Sequence, residues 1–294
     1  MNTISTTPTI LLTGATGKVG TYLTRQLAQQ GIPFRAMVRN REDVPKLSSL
    51  PGAEVVLGDF DHPDSLRQAV AGIESAFLLT NSTAKAAQQQ ITFTDIAAGA
   101  GVKQLVKLSQ YKADAASPVR FLRYHAAVEA HIKASGMAYT FLRPNLFMQG
   151  FLLFKDNIIH QGKFFAPAGS AKVSVVDARD IAAVAAQVLV TQHWNNRVLD
   201  ITGPEALSHE EIAAILSAIT GRHIRYIDVT PEDMLQAVLS LGFPVWQAEG
   251  LIEDYAHYAR GEAAAVSSTV QLVTGKPARS FAAFIADHAA YFKS

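Results

Sequence analysis

A short apolar strand that breaks into a glycine-rich turn is the feature of this chain that most constrains its fold. Residues 10–20 read Ile-Leu-Leu-Thr-Gly-Ala-Thr-Gly-Lys-Val-Gly, and a stretch with helical apolar spacing follows. In this G-x-x-G-x-x-G pattern, Gly14 and Gly17 let the backbone approach a phosphate, and Gly20 lets helix and strand pack closely. The N–H groups of the helix start attract negative charge. A lone glycine triplet also occurs in ordinary turns, but the strand before it and the helix after it predict a dinucleotide site. The predicted pyrophosphate contacts are Gly14, Thr16, Gly17, Lys18 and Val19.

The composition allows a large core and argues against several kinds of function. The chain has 294 residues, of which 49% are hydrophobic and 17% charged, enough for one or two domains. A net charge of +1 without a long basic run argues against nucleic acid as a partner, which leaves small molecules or proteins. There is no cysteine, so disulfides and cysteine catalysis are excluded. No histidine and carboxylate pair has metal-ligand spacing, and we predict no metal site.

The beginning of the chain bears on localisation. Met1 to Pro8 is polar and uncharged, without the basic segment and apolar core of a signal peptide. No apolar stretch of the sequence reaches membrane-spanning length. We therefore expect a cytoplasmic protein without a membrane partner.

Strands and helices alternate along the first two thirds of the chain. Helices are predicted at 64–71, at 83–100 and from Ser117-Pro118 to about 135, the first two closed by glycine. Such alternation predicts an α/β fold, a Rossmann-type doubly wound parallel sheet with helices on both faces. The predicted strands after the first are 33–38, 53–57, 75–79, 104–108, 138–142 and 197–201.

From about residue 145 the pattern changes, which indicates a second domain. A short strand at 172–176 precedes a helix at 177–190 that returns to the sheet, and 208–220, 224–229 and 231–241 predict a helix, strand and helix. We predict a nucleotide-binding domain of residues 1–150, with 177–202 returning to it. A smaller, discontinuous α/β substrate domain then comprises 151–176 and 203–294. It should cover the carboxyl edge of the sheet, where ligands of open α/β sheets bind.

The residue at the end of the second strand distinguishes the two nicotinamide cofactors. An acid there binds the ribose 2′-OH of NAD, whereas arginine pairs with the 2′-phosphate of NADP. Here the residue is Arg39, with Arg41 close behind, and Glu42 lies beyond the strand. NADP(H) is therefore favoured over NAD(H). The alternative is that Arg39 is simply a solvated loop residue.

The ends of the third and fourth strands supply further candidate cofactor contacts. After the third strand, Asp59 can reach the adenine amine and Phe60 can lie beside the ring. Alternatively, Asp59 only caps a turn. After the fourth strand, Leu79, Thr80 and Asn81 are placed to flank the nicotinamide ribose, although Asn81 can equally cap the next helix.

Several motifs together resemble the NmrA-like branch of the atypical short-chain dehydrogenases/reductases. They are T-G-A-T-G-K-V-G at 13–20, Arg39, G-D-F at 58–60, A-Y-T-F-L-R-P-N at 138–145, V-D-A-R-D-I-A at 176–182 and L-D-I-T-G-P-E at 199–205. The resemblance spans nearly the whole chain. It implies a Rossmann sheet of about seven strands, NADP(H) binding and a small C-terminal substrate domain. It also places Pro144 and Asn145 near the nicotinamide.

The catalytic pattern of that superfamily is incomplete in this chain. Its extended members carry serine after strand five and Tyr-x-x-x-Lys-x-x-x-Glu on the next helix. Ser109 matches the serine and Glu129 the glutamate, but the lysine position holds His125 and the tyrosine position Phe121. Phenylalanine cannot protonate a developing alkoxide, so the usual proton donor is missing. Tyr111 and Tyr124 are possible substitutes, although neither has a lysine four residues on.

Two roles for His125 compete. Residues 121, 125, 128 and 132 share one helical face, which we expect to look toward the sheet and cofactor, with Tyr124 beside it. His125 either contacts the nicotinamide ribose and assists proton transfer, or is a buried packing residue. The resemblance favours the first role, because several NmrA-like reductases carry histidine here without the tyrosine. We predict His125, Ser109 and Tyr124 as catalytic residues, with Ser109 and His125 also contacting the cofactor. His160 is expected to be structural or on the surface.

An aromatic run after Asn145 is a candidate wall of a substrate pocket. At helical spacing such residues are also typical of an ordinary core, so this alternative stays open. The predicted pocket residues are Tyr111, Phe147, Phe151 and Trp246.

These observations favour an NADPH-dependent oxidoreductase whose acceptor needs little help from an enzymic acid. Such acceptors are a quinone, a cationic dye, an iminium or a conjugated enone, because they neutralise or delocalise the charge that hydride brings. One alternative is a redox-sensing regulator that binds NADP(H) without turnover and acts on a protein partner. Another is a tailoring reductase for a polycyclic aromatic metabolite. A homodimer is compatible with each of these.

Overall fold

The computed structural model describes residues 8–292 and contains a central parallel sheet. Within that range the sheet has seven strands in the order β3-β2-β1-β4-β5-β6-β9, and β1 to β6 pair in parallel. The predicted doubly wound α/β fold is confirmed. The strands are β1 (Ile10–Leu12), β2 (Phe34–Val38), β3 (Ala53–Leu57), β4 (Ser75–Leu78), β5 (Gln104–Leu108), β6 (Ala138–Pro144), β7 (Lys163–Ala166), β8 (Lys172–Val173), β9 (Arg197–Ile201), β10 (Leu207–Ser208) and β11 (Arg225–Asp228).

Helices alternate with the sheet strands and then dominate the C-terminal part. Short 3-10 turns cover Arg41–Asp43, Met148–Phe154 and Ala289–Phe292. The α-helices are α1 (Lys18–Gln29), α2 (Val44–Ser48), α3 (Pro63–Val70), α4 (Ala86–Gly99), α5 (Arg120–Ala134), α6 (Lys155–Gln161), α7 (Ala178–Leu189), α8 (His209–Thr220), α9 (Pro231–Ser240), α10 (Val245–Ala259), α11 (Thr269–Thr274) and α12 (Phe281–Asp287).

The central strands are buried because helices cover a parallel sheet on both faces. Every residue of β1 and of β5 is buried. Leu105 and Phe141, on adjacent strands, pack with Val128 and Ile132 of α5. Each such apolar side chain contributes about 1.5–3 kcal/mol by leaving water. β5 also carries one charged residue, Lys107, which is fully buried.

Contacts divide the chain into two compact units. The first comprises the residues up to Ser109 together with Tyr124–Arg143 and Ile181–Leu199. The second comprises Gln110–Arg123, Pro144–Asp180 and the residues from Asp200 onward. This division differs from the predicted domains chiefly in Gln110–Arg123, because Gln110 and Arg120 bond to residues of α10. The domain boundaries as such stay a prediction.

The second unit is built around its own apolar core. In its described residues β8 pairs antiparallel with β10, and β7 pairs parallel with β11. The ring of Phe151 lies 5.8 Å from that of Phe164 and 5.2 Å from that of Phe281. The smaller α/β unit predicted at 208–241 is therefore present as α8, β11 and α9, whereas the predicted strand 172–176 is only β8 plus one bridge at Val176.

One helix begins later than predicted. The Ser117 hydroxyl accepts the N–H of Val119 in a local turn, and α5 begins at Arg120. The N–H of Arg120 donates instead to Glu253 of α10, at 2.6 Å. A tertiary contact therefore satisfies the helix start that Ser117 was predicted to cap.

In the part of the chain that the structure describes, no helix is both long and apolar enough to cross a bilayer. Among residues 8–292, no group of three or more His, Cys, Asp or Glu is placed to hold a metal ion. The prediction about Met1 to Pro8 falls outside the described residues, except at Pro8.

Candidate cofactor and catalytic site

The glycine turn between β1 and α1 requires residues without a side chain. Gly14 has a φ of +62°, and a Cβ there would lie 2.8 Å from Cγ of Leu79, just after β4. A Cβ on Gly20 would lie 2.1 Å from the carbonyl oxygen of Gly14, so α1 can pack on the turn only through glycine. Oγ1 of Thr13 fixes the turn to β4, because it lies 3.0 Å from the carbonyl oxygen of Leu79 and accepts its N–H at 2.8 Å.

The start of α1 fits a phosphate group. Its N-cap is Gly17, and no described side chain caps it, nor does its first turn contain an acid. The first N–H groups of a helix have no partner within the helix, so here they are available to an anion. Thr16, Gly17 and Lys18 are exposed beside them, whereas Val19 is buried. The turn therefore fits the pyrophosphate predicted for it.

Arginine follows β2, as the sequence indicates. Arg39 and Arg41 are exposed, and Glu42 lies in the 3-10 turn beyond the strand. Arg35 of β2 is instead held by Glu54, with 3.0 Å between Nε and Oε1. Arg39 thus has the position and the exposure that recognition of a 2′-phosphate requires, and that role stays a prediction.

After β3, Asp59 forms a local turn. One of its carboxylate oxygens accepts the N–H of Asp61 at 3.0 Å, which is the turn-forming alternative left open by the sequence. The ring of Phe60 lies 5.7 Å from that of Phe93 on α4, so Phe60 packs against α4 within the first unit. Contacts of Asp59 and Phe60 with adenine stay predictions.

The loop after β4 connects the glycine turn to α5. α4 begins at Ala86 after Lys85, so Asn81 does not cap it, and that alternative is wrong. The hydroxyl of Thr80 accepts from Nε2 of Gln90 at 2.8 Å, and Oγ of Ser82 lies 3.0 Å from the hydroxyl of Tyr124. Leu79, Thr80 and Asn81 therefore lie on a loop that contacts both the predicted phosphate site and α5.

Ser109 belongs to a buried charged network. Its hydroxyl donates to Oε1 of Glu129 at 2.6 Å, and Nε of Arg143 donates to the same oxygen at 2.9 Å. Ser109 and Glu129 are both buried. The carboxylate thus fixes the orientation of the Ser109 hydroxyl, and the arginine compensates its charge.

One residue of the site was missed by the sequence analysis. Nζ of Lys107 lies 2.6 Å from Nδ1 of His125 and 3.2 Å from the carbonyl oxygen of Leu108. Lys107 on β5 and Ser109 directly after β5 are two residues apart, so their side chains lie on the same face of the sheet. Their partners His125 and Glu129 are four residues apart, so they lie one turn apart on the same face of α5. The signal available in the sequence was a lysine between apolar residues in a strand of a parallel sheet, where an unpaired charge is costly.

Burial sets the protonation of this pair. Burial lowers the pKa of Lys107 to about 7; the Glu129 carboxylate opposes this and Arg143 adds to it. Burial, followed by the charges of Lys107 and Arg143, holds the pKa of His125 well below its ordinary value. His125 is therefore neutral near pH 7, whereas Lys107 changes charge there.

Phe121 and Tyr124 precede His125 on α5, and each contacts a different part of the protein. The Tyr124 ring lies 4.1 Å from the His125 ring within the first unit. The ring of Phe121 lies 5.4 Å from that of Trp246 within the second unit. The expectation that the helix face looks toward the sheet is confirmed for His125 by its contact with β5, but Phe121 packs against α10.

The other predicted site residues lie in the second unit. Pro144 ends β6, and its carbonyl oxygen accepts the N–H of Tyr111 at 2.9 Å. The side chain of Asn145 donates to Ser174 and to the carbonyl oxygen of Ala263, so it has a structural role. His160 is exposed, as expected.

The predicted pocket residues differ in burial. Tyr111 and Phe151 are buried, whereas Phe147 and Trp246 are half-buried. Phe151 lies in the aromatic core of the second unit, which is the alternative that the sequence left open. A pocket role for these four residues stays a prediction.

Comparisons with known proteins show which family the chain belongs to. An NAD(P)H azoreductase of Xenophilus azovorans is 38% identical over 283 residues, covering 96% of this chain and 99% of that protein. The structure of an NADPH-dependent quinone oxidoreductase of Escherichia coli complexed with NADPH superposes with a TM-score of 0.86 at 26% identity, covering 97% and 100% of the two chains. A triphenylmethane reductase of Citrobacter sp. complexed with NADP(H) gives a TM-score of 0.85 at 27% identity, covering 95% and 99%. The model of the NmrA-like family matches residues 6–279, and the chain belongs to that family.

Proposed function

We propose that this protein is an NADPH-dependent reductase that delivers hydride to a small conjugated or cationic acceptor. The observation that carries the proposal is Phe121, which stands at the position of the superfamily's tyrosine and packs against Trp246. A carbonyl reductase needs an acid at that position, because the alkoxide that forms must be protonated. An acceptor that neutralises or delocalises its charge does not need an acid at the position of Phe121.

The cofactor assignment is supported by the first unit. The strained glycine turn and the uncapped start of α1 suit a pyrophosphate, and the relatives described above are named for NAD(P)H or bound to NADPH. NADPH supplies hydride when bound. Preference for NADPH over NADH rests on Arg39, which is exposed at the end of β2.

The acceptor class follows from the missing tyrosine and from the relatives. Quinones, azo compounds, cationic triarylmethane dyes, iminium ions and conjugated enones all accept hydride at a conjugated centre. Relatives are named for the reduction of azo compounds, quinones and triphenylmethanes. For such acceptors catalysis consists mainly of holding donor and acceptor in contact.

Substitution of Gly17 tests the cofactor site. Gly17→Val places a side chain at the start of α1, where a Cβ meets only the carbonyl oxygen of Gly14 at 3.2 Å, so the fold should tolerate it better than changes at Gly14 or Gly20. We expect weaker NADPH binding, measured by fluorescence titration, at a nearly unchanged melting temperature. Unchanged NADPH-dependent turnover in Gly17→Val would show that the glycine turn is not part of the cofactor site.

The proposed reductase function also implies what kind of partner the protein binds. The partner is a small-molecule hydride acceptor. A homodimer, a regulatory protein partner and a cytoplasmic location stay predictions, as does a polycyclic metabolite as acceptor.

A further inference from the structure

We infer that Lys107 and His125 form a proton relay that protonates acceptors left anionic by hydride transfer. This inference rests on the proposed reductase function. It assigns to Lys107, inside a sheet strand, the supply of protons, and to His125 the transfer of the proton to the acceptor.

The hydrogen bond between the two residues fixes the direction of the relay. Nζ of Lys107 carries the protons, so Nδ1 of His125, 2.6 Å away, accepts one. The proton of the neutral imidazole therefore resides on Nε2. Lys107 is completely buried, whereas His125 retains some exposure, so His125 is the outer member of the pair.

Contacts within the first unit connect this pair to the predicted cofactor site. The glycine turn adjoins Leu79, the loop after Leu79 reaches Ser82, and Ser82 bonds to Tyr124. The Tyr124 ring in turn lies 4.1 Å from the His125 ring. The relay is therefore continuous with the loop expected to hold the nicotinamide ribose.

The charged groups around the pair make it able to exchange protons at neutral pH. Glu129, Arg143 and Tyr124 are the titratable or charged groups that face it from α5 and β6. Burial and Arg143 lower the pKa of Lys107, whereas Glu129 raises it, with a result of about 7.

The proton balance of the reaction is complete with this relay. NADPH, when bound, would supply hydride and become NADP⁺, and a quinone that accepts hydride becomes a hydroquinone anion. The anion takes the proton from Nε2 of His125, and Nδ1 takes one from the Lys107 ammonium group. Nε2 of His125, the outer member of the pair, then takes a proton from water while Nδ1 returns its proton to Lys107, which restores the starting state. A cationic triarylmethane dye becomes neutral on accepting hydride and needs no proton. These two acceptors therefore separate the relay from the rest of catalysis.

Steady-state kinetics with the two acceptors tests the relay. The variants are Lys107→Met, which keeps the length of the side chain without its protons, and Lys103→Met as control, since Lys103 is exposed and pairs with Glu74. We expect Lys107→Met to lower kcat on the quinone by roughly 10- to 100-fold more than kcat on the dye, in line with the usual contribution of general acid catalysis. Lys103→Met should leave the ratio of the two kcat values unchanged.

The pH profile supplies a readout that a structural role would not change. Wild-type kcat on the quinone should fall as pH rises through about 7, because Lys107 loses its proton there, and kcat on the dye should not. The quinone reaction of the wild type should also be slowed in D2O more than the dye reaction. These two measurements need no variant, so they test the relay even if Lys107→Met fails to fold.

The outcomes for the two acceptors separate failure of the relay from failure of the reductase function. Equal losses of kcat on the two acceptors in a folded Lys107→Met, or identical pH profiles and D2O effects for the two acceptors in the wild type, would overturn the relay and leave the reductase function standing. Absence of wild-type turnover on both acceptors would overturn the proposed function and the relay with it.

Discussion

The ring of Phe121 lies 5.4 Å from the ring of Trp246, and a Cβ on Gly250 would lie 2.4 Å from two atoms of the Phe121 ring. Arg120 reinforces this contact through Glu253 and Glu249 of α10. The start of α5 is therefore held to α10 within the second unit. Phe121, which we place at the position of the superfamily's tyrosine, therefore serves as a packing contact.

Gly250→Ala should destabilise the protein. The added methyl group meets the Phe121 ring, and overpacking of this kind costs about 1–3 kcal/mol. Gly99→Ala is the matched control, because Gly99 is also helical and a Cβ there meets no atom within 4 Å. Urea denaturation should show a lower free energy of unfolding for Gly250→Ala and an equal or higher one for Gly99→Ala. Equal stability of wild type and Gly250→Ala would contradict the described packing.

Phe121→Tyr should leave reduction of a cationic dye within roughly twofold of wild type, since that acceptor needs no proton from the enzyme. The residue four positions on is His125 instead of the lysine that lowers the pKa of the tyrosine in extended members of the superfamily. Turnover of the dye with NADPH, followed by loss of the dye's colour, is the measurement. A large gain in activity would mean that an enzymic acid had been limiting.

The sequence allowed most of the sheet to be predicted, and the reasons are physical. Short runs with a majority of apolar residues, such as Ala53–Leu57 and Gln104–Leu108, are bounded by turn residues, so their limits were predicted to the residue. α10 was not predicted: Gly250 lowers its intrinsic helix propensity, and its packing against Phe121 is a contact between residues far apart in the sequence.

The candidate site was predictable only where it follows local motifs. The glycine turn and Arg39 can be recognised from a few neighbouring residues. Lys107 could not be assigned a role, because its partner His125 is 18 residues away and only the packing of α5 on β5 brings the two together. The same holds for Ser109, whose bond to Glu129 depends on the register of that packing.

Glu129→Gln should shift the pH dependence of quinone reduction. The carboxylate of Glu129 favours the charged form of Lys107, so its removal lowers the pKa of Lys107 further below its ordinary value. The fall in kcat should then occur at lower pH than in the wild type. Glu74→Gln, which removes an exposed carboxylate from the ion pair with Lys103, should leave the profile unchanged. A profile of Glu129→Gln that coincides with wild type would contradict the electrostatic coupling.

Arg39→Ala should weaken NADPH binding while leaving NADH binding nearly unchanged, because only NADPH carries the 2′-phosphate. Loss of a charged hydrogen bond to phosphate costs about 1.5–3 kcal/mol, which is roughly 10- to 150-fold in Kd. Fluorescence titration with both cofactors measures this. Arg67→Ala is the control, since Arg67 is exposed on α3 and pairs with Asp64. If Arg39→Ala weakened the binding of NADPH and NADH equally, Arg39 would not be the residue that recognises the 2′-phosphate.

Asp254 should make stability depend on pH between about 4 and 7. Burial raises the pKa of Asp254 to about 7, against the bonds from Gln110 and Tyr258 that lower it. The folded state therefore binds more protons than the unfolded state in this range, and stability falls as pH rises toward 7. The loss should reach a few kcal/mol, because each pKa unit corresponds to about 1.4 kcal/mol.

The comparison for Asp254 is with Asp254→Asn, which cannot ionise. Denaturation at pH 4, 5.5 and 7 should show a smaller decline of the free energy of unfolding for Asp254→Asn than for wild type. Parallel declines would show that other groups cause the pH dependence.

The central claim is that this chain oxidises NADPH with a conjugated or cationic acceptor in the absence of the usual tyrosine. It is tested most directly by titrating the purified protein with NADPH and NADH by fluorescence, then adding quinones, azo compounds and cationic triarylmethane dyes to the same cuvette while NADPH absorbance is followed. We predict tighter binding of NADPH than of NADH, and oxidation of NADPH that depends on the acceptor. Tight binding without oxidation by any acceptor would contradict the account and favour a protein that senses the cofactor without turnover.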